Sequence, residues 1–444
     1  MRHHTLMFIA GSALLTAPLA AQQPDSAARA KARADSVARA DSVAREDSIR
    51  TVREIERIQN EPRKRDSVPK PPPQSPATGV GAPTNPRMLP DFSAVVDLVA
   101  DLSPHSSTQP DGRRFSVREV ELAVQAAIDP YFRGDVFLGF DDLEKVAVEE
   151  AALTTTSLGN GFEARAGRYR MPVGKINTTH RHDLHYVEYP YVIQEFFSPE
   201  GLRGTGIWGS KIFSPFGFYQ EFIVTMVDAF GESPDSLFVR DPANKTLSGL
   251  GYSARLRNYW DFSQDKNMEW SFSAVTGKRP QPISGGSDTL NAVNVQQTVV
   301  GTDVTYRWRP LKQGLYESFL LQAEFMYQIN QKNPAVPTGT TYAGPTSDYP
   351  GAYVFGRYQM SQRNFLGARY DWLKDPENNG APFNAVSLIW EFFPSEFSKL
   401  IAEYQYISRA GYQPSFPTYG TDPRLSRLLL QATFALGPHK PHAF

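Results

Sequence analysis

The chain has 444 residues, 41% of them apolar, a net charge near -1 and no cysteine. Such a balance leaves no basic footprint for nucleic acid, and the missing thiols exclude disulfides, cysteine nucleophiles, thiolate metal sites and a lipoprotein anchor. A mean hydropathy of -0.41 argues against helical membrane spans, which need about 18 or more consecutive apolar residues.

Residues 1–21 read as a secretory signal: Arg2, the apolar run "LMFIAGSALL", then "TAPLAAQ". The run is too short for a permanent span, and Leu19 stands where cleavage after Ala21 prefers a small residue. Residues 22–61 repeat a six-residue unit in "ADSVARADSVAREDSIR", spacing Val37, Val43 and Ile49 evenly. Alanine and arginine favour helix, but single small apolar residues are a weak stripe for a self-sufficient one. The segment reads equally as a helical or coiled-coil periplasmic arm and as a solvated charged arm. Residues 62–90 carry nine prolines and read as an extended linker.

From Asp91 onward the hydrophobic period is two. In "SFLLQAEFMYQI", Phe319, Leu321, Ala323, Phe325, Tyr327 and Ile329 oppose Gln322, Glu324 and Gln328. Roughly sixteen such segments begin near residues 92, 115, 132, 144, 162, 203, 217, 248, 268, 298, 317, 351, 364, 384, 399 and 424. Short turns such as "DP", "GNG", "SPF" and "SQRN" alternate with longer connections at 103–114, 171–202, 230–247, 278–297, 330–350, 374–383 and 409–423. The short "DDLEK" connection is the exception. Alternating short and long connections put the two ends of a sheet in different environments, as in transmembrane β-barrels. A closed barrel is also the sheet that leaves no unpaired backbone in lipid. Trp260, Trp270, Trp308 and Trp372 fall near segment ends, where an interfacial girdle belongs. The expectation is an all-β protein of the bacterial outer membrane, surrounded by its lipids. Residues 91–444 form a transmembrane antiparallel β-barrel of about sixteen strands, with the helical arm and Pro-rich linker in the periplasm.

The stretch "AGRYRMPVGKIN", leading through "HRHDLHYVEYP" to "EGLRGTGIWGS", resembles the phosphate-selective porin O and P family, including its DcaP-like relatives. The terminal "LLLQATFALGPHKPHAF" is similar to the last strand of such barrels, whose aromatic end is an assembly signal. The resemblance implies a passive, homotrimeric channel of sixteen strands, in some relatives with a periplasmic coiled coil. The chain departs from the type in a loop rich in histidine and acid rather than lysine.

An aqueous lumen takes its selectivity from wall charges and constrictions. Alternation turns Arg133, Arg255, Arg257, Arg307, Arg309, Arg357 and Arg369 inward, together with Glu121, Asp135, Glu221, Asp303, Glu324 and Glu391. This wall reads in two ways: an arginine ladder that favours anions, or interior salt bridges that stiffen the barrel. The loop 171–202 is expected to constrict the lumen through Lys175, His180, His182, His185 and Glu188. Three of the chain's eight histidines fall in this loop. They read first as polar, titratable lining; His180 and His182, two apart in an extended segment, form the alternative metal pair. His439 and His442 read as exposed tail residues. No Gly-x-Ser-x-Gly elbow and no Gly-Lys-Ser/Thr phosphate loop occurs, so the chain reads as a non-enzyme without a cofactor that passes small hydrophilic solutes. The rival reading is a tethering barrel with a plugged lumen, whose arm binds peptidoglycan or another periplasmic partner.

Overall fold

Alternating apolar and polar residues fold here into one antiparallel sheet closed on itself. The structure, a computed structural model, describes residues 90–437 apart from 105, 110–111, 142–144, 229–246, 286–291, 377–379 and 410–423. The expected signal, arm and linker, along with His439, His442 and Phe444, lie outside the described residues. The first eight strands are β1 (Asp91–Asp101), β2 (Phe115–Ala127), β3 (Phe132–Asp141), β4 (Lys145–Thr155), β5 (Phe162–Arg170), β6 (Arg203–Phe213), β7 (Tyr219–Val227) and β8 (Gly251–Ser263). There follow β9 (Lys266–Ser284), β10 (Ala292–Trp308), β11 (Phe319–Asn330), the two-residue β12 (Thr341–Tyr342), β13 (Tyr349–Ser361) and β14 (Asn364–Asp375). The last three are β15 (Ala381–Ser395), β16 (Ser398–Arg409) and β17 (Arg424–Leu436). Each wall strand pairs with its sequence neighbours, and β1 pairs with both β2 and β17, so the wall has no open edge. Only β12 stands outside it, leaving sixteen wall strands.

Strand alternation sorts the two faces. Along β16, Lys399, Ile401, Glu403, Gln405, Ile407 and Arg409 are buried, while Leu400, Tyr404 and Tyr406 are exposed on the outer surface. On β15, Phe383, Ala385, Ser387, Ile389 and Glu391 face in, and Val386, Leu388 and Trp390 face out. The charged side chains therefore sit inside and the apolar belt outside, the inverse of a soluble β-sandwich.

One connection differs from the sequence expectation. Residues 278–297 do not form a long loop, because β9 runs to Ser284 and β10 starts at Ala292, paired as far as Ala292 with Pro282. Pro280 and Pro282 concealed this, since proline has no N–H to give a ladder. Beyond Thr276 the other edge of β9 has left β8, and there the Pro282 carbonyl accepts from Ala343 N instead. Pro282 thus turns its missing donor away from β10.

Gly167 and Gly206 face each other across β5 and β6. Gly167 has φ +132°, and a Cβ there would collide with the Ala151 carbonyl on β4. A Cβ on Gly206 would meet the Met226 carbonyl on β7 in the same way. Four consecutive strands approach closely at this pair. Only Ala151–Thr154 of β4 pairs with β5, so this seam has little to spare. Gly167→Ala is expected to lower the yield of folded barrel, read as loss of the heat-modifiable band on gels; an unchanged band would show the seam tolerates a side chain.

Candidate functional site: the loop inside the lumen

Between β5 and β6 the chain turns into the barrel instead of out to solvent. Its short helix α1 (Tyr191–Phe196) and two single 3₁₀ turns at 176–178 and 181–183 leave most of the loop irregular. Tyr186, Val187, Tyr189, Val192, Ile193, Phe196 and Leu202 are inaccessible to solvent. They pack against Val275, Val299, Met326, Tyr353, Phe355, Ile389, Ile401 and Leu429 on the inner faces of β9 to β17. Fully burying such a side chain contributes about 1.5–3 kcal/mol. The hydrophobic core of this protein is therefore the loop itself, held in the lumen.

A buried irregular loop has backbone groups that no ladder satisfies, and each needs a partner. The wall supplies them from its inward charges. Arg255 Nη1 donates to the Gly174 carbonyl at 2.5 Å, Arg118 Nη1 to Val187 O at 2.9 Å and Arg369 Nη1 to Glu188 O at 3.0 Å. Arg279 clasps the carbonyls of Phe196 and Phe197 at 2.9 and 2.6 Å, and Lys399 Nζ reaches those of His182 and Leu184. In the opposite sense, Ile176 N donates to Glu324, Val187 N to Glu403 and Tyr191 N to Asp371, at 2.7–3.0 Å. At the neck, Asn177 donates to Met171 O and Leu202 O and accepts from Leu202 N, tying the two ends of the loop together. Inward arginines and carboxylates thus act as the hydrogen-bonding partners that a helix or sheet would otherwise provide.

Of the expected wall arginines, Arg255 also pairs with Asp303 at 3.1 Å, and Arg257 with Glu221 at 2.7 Å and Glu269 at 3.3 Å. Arg369 pairs with Asp371 and lies 4.3 Å from the centre of the Tyr186 ring. Arg357 pairs with Glu391 at 2.5 Å and stacks on Phe365. Arg133 pairs with Asp135 and is half exposed, and Arg307 occupies the inward register of Asp303 and Thr305. Arg309 falls past the end of β10, where its Nε donates to Gly314 O; Pro310 ends the strand, so alternation no longer governs this side chain. Arg118, Arg170, Arg203, Arg279, Lys399 and Arg427 escaped the sequence reading. Arg427 and Lys399 obey the same alternation and were legible; Arg118 sits at a bulge that shifts the β2 register, which a strict period of two cannot see.

The loop residues meet the wall as follows. Lys175 Nζ lies 3.0 Å from Glu269, and His185 Nδ1 3.2 Å from Glu391. Glu188 receives a fork from Arg427, at 2.9 and 3.1 Å. His180 reaches Glu121 at 2.7 Å through Nδ1 and Glu150 at 3.0 Å through Nε2. His182 Nδ1 is 4.0 Å from the same Glu121 oxygen. Burial works against a charge on His180, but the Glu121 and Glu150 carboxylates outweigh it and hold the ring up to about 10. Burial opposes the Glu188 carboxylate too, yet Arg427 brings it down to about 2. His185 moves the other way: burial, reinforced by the nearby Arg357, lowers it.

Open space persists on one side. A cavity of about 460 Å³ lies between the loop and the inner faces of β2 to β9. Its walls carry Arg133, Arg165, Arg170, Arg255, Arg257 and Lys175 against Asp135, Glu150, Glu163, Glu221 and Glu269. Arg165 makes no ion pair among the described residues: its Nε donates to Thr154 and its guanidinium lies 5.8 Å from the Trp208 ring centre.

The described residues form a closed sixteen-strand antiparallel barrel with a long loop folded into its lumen, and the barrel fold is one this chain shares with outer-membrane porins. The chain is similar in fold to a loop-deletion mutant of OmpT, an outer membrane protein of Vibrio cholerae (TM-score 0.53, 13% identity, covering 79% of this chain and 100% of that one). It is also similar to an anion-selective porin from Comamonas acidovorans (TM-score 0.50, 9% identity, 78% and 99% covered) and to Pseudomonas putida OprB (TM-score 0.50, 10% identity, 78% and 94% covered). In sequence it is 23% identical over 351 residues to an uncharacterized protein of Aquifex aeolicus (strain VF5), across 75% of this chain and 70% of that one. No family model matches the chain.

Proposed function

We propose that the protein is an outer-membrane porin, a passive channel for small hydrophilic solutes related to the phosphate-selective porin O and P barrels. The observation that carries this reading is the charged cavity left between the inturned loop and the β2–β9 wall. The loop fills the side of the lumen along β10 to β17, so the path runs off-centre, past Lys175 and His180. Homotrimeric assembly in outer-membrane lipid belongs to the same proposal and is read from the mass of the detergent-solubilised complex.

Ion preference follows from which cations are neutralised. Arg255, Arg257 and Arg133 are each matched by carboxylates, so their fields largely cancel at the distance of a passing ion. Arg165 keeps its charge for the cavity. In planar bilayers, Arg165→Ala is expected to shift the reversal potential toward cations more than Arg133→Ala does; equal shifts would return the selectivity to the whole ladder. A second reading, a plugged barrel serving as a tether, is favoured by the solvent-free core of the loop. Conductance steps from the wild-type protein support the channel; silence at every voltage supports the tether.

A further inference from the structure

Where the loop crosses β2 and β4, three potential ligands converge away from solvent. Glu121 is 1% exposed, His182 3% and His180 6%. One carboxylate oxygen and one nitrogen of each ring all lie within 4.8 Å of one another. We propose that Glu121, His180 and His182 form a binding site for a divalent transition-metal cation of the zinc type, joining the loop to the barrel wall.

Chemistry and spacing both fit. Donors about 2.0–2.2 Å from a tetrahedral ion stand about 3.3–3.6 Å apart. From Glu121 Oε2, the separations of 2.7 Å to His180 Nδ1 and 4.0 Å to His182 Nδ1 bracket that range, so side-chain adjustments alone would close the site. The second ring nitrogen of each histidine faces a carboxylate: His180 Nε2 lies 3.0 Å from Glu150, and His182 Nε2 3.5 Å from Asp183. A carboxylate behind the non-ligating nitrogen fixes the tautomer and raises the basicity of a metal-bound imidazole.

Glu121 gives an independent indication. Neither of its oxygens accepts a hydrogen bond of acceptable geometry, although the side chain is buried; His180 approaches Oε2 too far off line to provide one. Buried carboxylate oxygens are ordinarily satisfied, and a lone pair aimed at two imidazoles is the exception a cation removes. Glu149 Oε2, 3.8 Å from His180 Nδ1, adds negative charge behind the site, balanced in part by Arg170 and Arg203. His180 also lines the open cavity, so the site borders open space through which an ion could enter.

The test uses the full chain in detergent, stripped with a chelator and titrated with cobalt(II), then zinc. A single ion per chain is expected, with the strong visible absorption of a four- or five-coordinate site. Glu121→Gln and His182→Gln should each weaken binding at least about tenfold, while His185→Gln, on the same loop, leaves it unchanged. Absence of binding to the wild-type chain, or only the weak spectrum of octahedral cobalt, overturns the proposal without recourse to any variant. Binding undiminished in both Glu121→Gln and His182→Gln overturns it as well, by placing the ion on other histidines.

Discussion

Replacing residues 184–197 with a short Gly-Ser linker is expected to raise single-channel conductance several-fold. The excised stretch contains α1 and the side chains that occupy the lumen between β10 and β17, including Tyr186, Tyr189, Val192, Ile193 and Phe196. A sixteen-strand wall does not need that core to close, because every strand is held by its ladders and β1 completes the ring with β17. The remaining neck keeps the Asn177 clasp on Leu202, and Ile176 keeps Glu324. Removing the plug returns the interior to the aqueous channel that barrels of this size enclose. Conductance unchanged from wild type would mean that the loop does not limit flow, and would sink the off-centre path.

The second large effect concerns a single ion pair. Arg427 is 1% exposed and forks onto Glu188 while also reaching Thr108, Tyr191 and Gln405. Arg427→Ala strands the Glu188 carboxylate against the wall, and breaking a buried pair from one side costs about 3–5 kcal/mol. Because the loop is irregular, that loss should appear as local opening: amide exchange across 184–197 quickens while the strands keep their protection. The pH dependence carries a sign that checks the cause. Glu188 is held down to about 2 from an ordinary 4.5, so its stabilisation is complete above pH 4.5 and is lost as pH falls toward 2. Wild-type loop protection should therefore decline on acidification across that window. In Arg427→Ala the carboxyl has lost its main counter-charge and burial dominates, so acidification should restore protection instead of removing it. The same acid trend in both proteins would show that Arg427 is not what holds Glu188.

Much of this architecture could be read from the chain. Fifteen of the sixteen wall strands start within about three residues of where the period of two places them, because one face of each strand had to be apolar and the other polar; β10 starts six residues earlier, at Ala292. The exceptions have local causes: Pro280 and Pro282 masked the far end of β9, and the β2 bulge hid Arg118. Inward placement of Arg255, Arg257, Arg357 and Arg369 also followed from alternation. Their partners did not. Arg255 and Arg369 meet loop carbonyls that lie 81 and 181 residues away in sequence, and no local pattern encodes such pairings.

The loop "THRHDLHYVEYPY" shows the division most clearly. Its composition read first as titratable pore lining or loop packing, with His180 and His182 as an alternative metal pair, and it did not show that the loop would supply the main hydrophobic core. That Tyr186, Val187 and Tyr189 are buried, and that Glu121 joins the two histidines, depends on the loop turning inward. Strand alternation alone was enough to specify a closed barrel, since each strand carries apolar residues on one face and polar ones on the other. What the inward charges do emerged with the folded loop. They bind the loop's unpaired backbone and leave one side of the lumen open, because a buried irregular segment must find its hydrogen bonds on the wall around it.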